Sequence, residues 1–199
     1  VQDRKRGPGI ASAVLLVTII LVGGGSFWGW RYWRLRVAEQ NELSAMACLK
    51  VLAVSQADFR ANDRDNNSIS DFWTADVASL YSLVPAGGGG PIQLIERALA
   101  EADGAGASRP YRGYLFRAME MDEEGKPYRK PDPFRPGLKP ARNITKFAFC
   151  AYPAVYGRTG RHTFIINEGN TILTTDTEGQ PVLRFPTDPE LRQSYWKPD

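Results

Sequence analysis

Within nine residues of the run "RANDRDNNSISDFW" (60–73) stand Asp63, Asp65, Asn67 and Asp71. Counted from Asp63, these side chains fall at positions 1, 3, 5 and 9, and Ile69 at position 7 can offer its backbone carbonyl. Hard oxygen donors at alternate positions can wrap one hard cation, which makes a structural calcium ion the expected cofactor. Two positions depart from the helix–loop–helix calcium pattern: Ser68 stands where that loop has glycine, and Thr74 where it has a bidentate glutamate. Asp76, a carbonyl or water would complete the shell. The alternative is an acidic turn that stops one helix, with Asp71 capping the next.

The other reactive side chains form no catalytic set in the sequence. Cys48 and Cys150 are the two cysteines, and neither lies in a C-x-x-C or zinc spacing. They are two buried thiols or one long-range disulfide, and a Cys48–Cys150 bridge is the expectation carried forward; it requires an oxidising compartment. The single histidine, His162, sits in a strand-like run. No G-x-S-x-G or H-E-x-x-H run occurs. Glu123 and Glu124 are adjacent in a turn, and the sequon Asn143-Ile144-Thr145 is a spacing common by chance. The reading is a structural protein rather than an enzyme.

The charge distribution places the chain. Residues 1–36 carry six basic residues against Asp3, a local +5, while the remaining 163 carry 19 basic and 21 acidic, a local −2. A nucleic-acid-binding head would hold the basic excess itself, so no nucleic acid is expected as a partner. The excess flanks an uncharged segment instead. From Ile10 to Trp30 the chain is strongly apolar, and at 1.5 Å per residue it spans roughly 30 Å, the thickness of a bilayer core. Trp28, Trp30, Tyr32 and Trp33, with Arg31, Arg34 and Arg36, have the composition of a membrane interface. Residues 10–33 are therefore expected to form a single transmembrane helix in contact with membrane lipid. Three basic residues flank each end, so charge does not orient it. The acidic loop and the expected disulfide place the head on the extracytoplasmic side.

The elements that must position these residues follow in order. Residues 1–9 are an N-terminal flank. Residues 34–60 continue the helix, with Ala45, Cys48, Leu49, Leu52 and Phe59 at helical spacing and no Gly or Pro. Short helices are expected over 71–83 and, after Pro91, over 91–103. Strands are expected within 111–121 and over 146–153, 161–167 and 171–176, with "NEGN" and "DTEGQ" as hairpin turns. Proline-rich residues 127–142 read as a long irregular loop. The fold class is α+β: a long helix and short helices over 34–110, packed on an antiparallel meander over 111–184, with a tail over 185–199 that is polar apart from Phe185, Tyr195 and Trp196.

A membrane helix running into a head and packed on a four-stranded meander resembles type IV pilins and pseudopilins, and "NELSAMACLKVLAVSQADFR" (41–60) is similar to their segment just past the membrane. The segments "YRGYLFR" (111–117), "FAFCAYPAVYG" (147–157) and "TFIINEGNTI" (163–172) resemble more closely an uncharacterised family of exported bacterial proteins of planctomycete type, over residues 40–180. That family implies no activity. The pilin resemblance implies an assembly role, yet no acidic residue lies between 7 and 30, where a pilin carries the glutamate used in filament growth. The expected function is a membrane-anchored, pilin-like structural subunit that forms homo-oligomers or joins a larger complex. The alternatives are a binding module for cell-wall glycan, with aromatics of 111–134 and 195–196 stacking on sugars, and a single-span accessory subunit of a membrane electron-transfer complex.

Overall fold

The computed structural model describes residues 10–106, 108–131, 141–192 and 196–198, with backbone alone for 10–31 and 192. The chain divides into two compact units, residues 1–37 and 38–199. In the first, helix α1 begins; the Arg36 guanidinium lies over the Tyr32 ring and its Nε donates to the Tyr32 hydroxyl at 3.0 Å. Among the described residues no helix is long and apolar enough to cross a membrane. The expected span, 10–33, lies almost wholly outside the residues whose side chains are described.

Helix α1 spans Ile10–Ala61. It stops at a left-handed residue, as helices commonly do. Asp63 has φ 45°, and the Arg64 amide reaches back to the Phe59 carbonyl at 3.1 Å, satisfying a carbonyl the last turn would leave open.

The expected short helices are shorter than their sequence runs. Strand β1 is Phe72–Trp73, followed by α2, Ser79–Ser82, and α3, Arg97–Ala100. Residues 72–73 are extended because buried Gln56, on α1, bonds both backbone groups of Trp73: Nε2 donates to its carbonyl at 2.5 Å and Oε1 accepts its amide at 2.9 Å. Residues 92–94 cannot join α3 because the Ile92 and Leu94 amides are spent on the Leu83 and Leu80 carbonyls, with Gln93 left-handed at φ 48°.

The strands that follow are β2 (Tyr114–Ala118), β3 (Arg142–Asn143), β4 (Ala148–Pro153), β5 (Thr163–Asn167) and β6 (Leu173–Thr175). Helix α4 (Asp188–Arg192) and β7 (Lys197–Pro198) complete the chain. β2, β4, β5, β6 and β7 form one antiparallel sheet in that order, while β3 pairs separately with β1, Phe72 opposite Asn143 and Trp73 opposite Arg142. The α+β class and long N-terminal helix are as expected.

The sheet is buried on both faces. Successive side chains of a strand point to opposite sides, and β4 is buried throughout. Phe149 and Ala151, with Phe116, Phe164 and Ile166, join Leu49, Leu52 and Phe59 of α1 in the larger core. Ala148, Cys150 and Tyr152 face the other way, with Met119, Tyr128, Ile165 and Phe185; Val182 and Trp196 pack against them. The tail thus covers the second face rather than leaving it to solvent.

That alternation corrects the expected disulfide. Cys48 belongs to the helix-side core and Cys150, one residue out of phase with Phe149, to the opposite core. Both thiols are free and buried. Helix and strand are neighbours as expected, but the sheet stands between the two sulfurs.

Candidate functional site

The acidic loop emerges from the left-handed stop of α1. Asp63, Asn66 and Ser68 all have positive φ, 45°, 54° and 63°. Ser68 therefore adopts the conformation for which a calcium loop uses glycine. The Asp63 carboxylate turns back on its own loop, accepting the Asn67 amide at 3.0 Å and the Ser68 amide at 2.8 Å. The Asp65 carbonyl accepts the Ala86 amide at 3.0 Å, which ties the loop to the segment after α2.

Asp65 and Asp71 converge, each 2% exposed. Asn67 bridges them, its Nδ2 donating to Asp65 Oδ2 at 3.0 Å and Asp71 Oδ2 at 3.3 Å, while its Oδ1 accepts the Ile69 amide at 2.6 Å. Arg142 on β3 supplies the counter-charge: its Nε lies 2.6 Å from Asp65 Oδ2 and 3.9 Å from Asp71 Oδ2. The remaining oxygens, Oδ1 of each aspartate, are buried without a hydrogen-bond partner.

The electrostatics follow from burial. Removal from water pushes the Asp71 carboxyl up to about 6, and the neighbouring Asp65 carboxylate adds to the rise, against Asn67 and Arg142. Asp65 is raised for the same first reason, with Arg142 opposing it. Two buried carboxylates that share one guanidinium favour holding a proton.

Sequence spacing therefore brings Asp65, Asn67 and Asp71 together; Asp63 is spent on the loop amides while its carboxyl, beside Asp65, adds to the rise of both buried aspartates, and the Ile69 amide rather than its carbonyl is bonded into the cluster. Calcium takes six to eight oxygens. Among the described residues no group of three or more Asp, Glu, His or Cys side chains is placed to hold a metal ion. Asp65, Asn67 and Asp71 form a guanidinium–carboxylate cluster with Arg142, whose guanidinium supplies the counter-charge that the expected calcium ion would supply.

Arg142 was not among the sequence candidates, because it lies at the end of a proline-rich run read as irregular. Gln56 carried a signal: a polar residue among the core-facing positions of α1. A cavity of about 240 Å³ adjoins the cluster, lined by Ile69, Asp71, Lys130, Arg142 and Ile144. A shallower one of about 510 Å³ lies between α2 and α3, where Tyr81, Arg97 and Glu101 contribute.

The other candidates are spent on positioning. Glu42 Oε1 accepts the Arg161 and His162 amides at 2.8 and 3.1 Å, and its Oε2 lies 3.1 Å from His162 Nδ1, so the histidine helps fasten the β4–β5 hairpin to α1. Asn143, 4% exposed, donates to the Tyr128 carbonyl and accepts from Thr145 and Lys146, so the sequon asparagine is a buried residue at the end of β3 that holds the turn after it. Lys146 bridges Asp122 and Glu123. Burial pushes the Cys150 thiol up to about 12 and Cys48 up to about 11, which makes both poor nucleophiles.

A family model, described as Protein of unknown function (DUF2950), matches residues 29–181. No curated protein and no solved structure matches the chain.

Proposed function

The chain belongs to that DUF2950 family of unknown function, and from this premise we propose that it is a membrane-anchored structural or assembly subunit. In this reading residues 10–33 hold it in the bilayer, and a pilin-like head on the extracytoplasmic side associates with further subunits, as a homo-oligomer or within a larger complex.

The observation that supports the reading is the second apolar face of α1. Its inner face, through Ala45, Leu49 and Leu52, is buried in the head. Its outer face carries Leu43, Val51 and Val54, exposed at 58%, 46% and 68%. A helix on the surface of an isolated globule pairs one apolar stripe with a polar one. Grouped apolar side chains on the outside mark an association surface.

Extraction of the full-length chain from membranes in mild detergent, followed by sizing, tests the proposal. Association with itself or with other subunits is expected; a strictly monomeric chain would sink it. Protease added to the outside of sealed cells is expected to digest the head, and protection would place it on the other side.

A further inference from the structure

We propose that the cleft between α2 and α3 binds glycan, and that the unit it takes is an uncharged N-acetylated amino sugar. At about 510 Å³ the cleft has the size of a small-molecule site. Such sites are apolar surfaces with a few placed polar groups. Here Ala78, Ala100 and Ala105 stand beside Tyr81, Arg97 and Glu101.

The cleft is held in shape by its own acids. Buried Asp103 accepts the Val77 and Ala78 amides on one oxygen, at 2.8 and 3.0 Å, and the Ala105 amide on the other, at 3.0 Å. It thus ties the start of α2 to the segment after α3. Asp76 accepts the Ser79 amide at 2.6 Å. Glu101 accepts from Arg97 Nε at 2.7 Å and has Arg109 at 3.8 Å from its other oxygen. An anion therefore meets a guanidinium that is already paired, and a cation meets carboxylates that already accept from N–H groups. A ligand without net charge leaves these pairs intact.

The chemistry still on offer suits a sugar. The Tyr81 ring is half-buried, with one side against the larger core. An aromatic face covers the C–H side of a pyranose at little entropic cost, since the ring is already held. The Arg97 side chain is 75% exposed and keeps N–H donors beyond the one spent on Glu101. A planar donor fork beside a carboxylate can bond neighbouring hydroxyls. The alanines give an acetamido methyl an apolar wall. The aromatics expected to stack on sugars do not offer this surface: Tyr114, Phe116 and Tyr128 are buried, and Arg112 lies over the Tyr111 ring.

Titration of the N-acetylglucosamine trimer into the full-length chain in bilayer nanodiscs, read by calorimetry and saturation-transfer NMR, tests the site. Submillimolar binding is expected, with the strongest transfer to the acetyl methyl. Tyr81→Ala is expected to weaken it about tenfold and Tyr81→Phe less than about twofold, because the phenylalanine keeps the ring. Ala105→Trp fills the cleft from an exposed position without removing a core contact, so it should abolish binding and leave the melting temperature unchanged. Absence of binding at millimolar trimer would overturn the proposal. So would unchanged affinity in both Tyr81→Ala and Ala105→Trp, which would put the sugar elsewhere. Equal or tighter binding of the deacetylated, cationic glucosamine trimer would overturn the assignment to an uncharged, acetylated unit.

Discussion

Replacing Asp71 by Asn should make the protein more stable at neutral pH, although the substitution deletes a partner of Arg142. Asp71 is 2% exposed, with Oδ1 unpartnered and Asp65 beside it. Its carboxyl titrates at about 6 against 3.8 for the unperturbed group. A raised carboxyl binds its proton more tightly when folded, so its contribution is full below the unfolded value and is lost as pH rises through the folded one. A rise of about two units corresponds to roughly 3 kcal/mol, of which about half is lost between pH 5 and pH 7.5. Asn is close to Asp in shape, carries no charge to desolvate, and keeps an oxygen for Asn67 to donate to. Its weakest loss is the pairing with Arg142, already long at 3.9 Å. The expected gain is about 1–3 kcal/mol at pH 7.5, shrinking towards zero near pH 4. Urea unfolding of both proteins at several pH values measures it. The difference between them matters, because Asp176 and Glu190, whose carboxyls are lowered by their partners, tilt the absolute curve the other way. A variant destabilised by the same amount at pH 4 and pH 7.5 would refute the reasoning.

Three further outcomes follow from the packing. Unfolding without reductant in the presence of an alkylating reagent should add two labels per chain, because Cys48 and Cys150 lie in different cores; an intact mass without labels would restore the disulfide. Gln56→Leu strips a buried amide and carbonyl of Trp73 of their shared partner and should cost about 2–4 kcal/mol; a loss below about 0.5 kcal/mol in chemical unfolding would show that the backbone finds other partners. Calcium added to the chain should leave its melting temperature unchanged, because Arg142 holds the counter-charge of Asp65 and Asp71; a calcium-dependent rise abolished by Asp65→Ala would contradict that.

The elements most legible in the sequence were those whose signal is local. Helix α1 shows in the uninterrupted spacing of Ala45, Leu49, Leu52 and Phe59, which fixes its buried face whatever it packs against. The strands of 148–153 and 163–167 show in short apolar runs bounded by turn residues, and the run of β4 already suits a strand buried on both sides. The crowding of Asp63, Asp65, Asn67 and Asp71 is likewise plain, as is the stop it imposes on the helix. Tertiary structure decided what these local features meet. Phe72 and Trp73 look helical next to 74–83, yet an amide side chain seventeen residues earlier draws their backbone into a strand. Cys150 faces away from Cys48 because of its parity along β4, which follows from the register with β2 and β5 rather than from any neighbour in sequence. The acidic cluster is balanced by Arg142, about seventy residues downstream, since a buried charge takes the nearest opposite charge in space, and only the folded chain determines which residue that is.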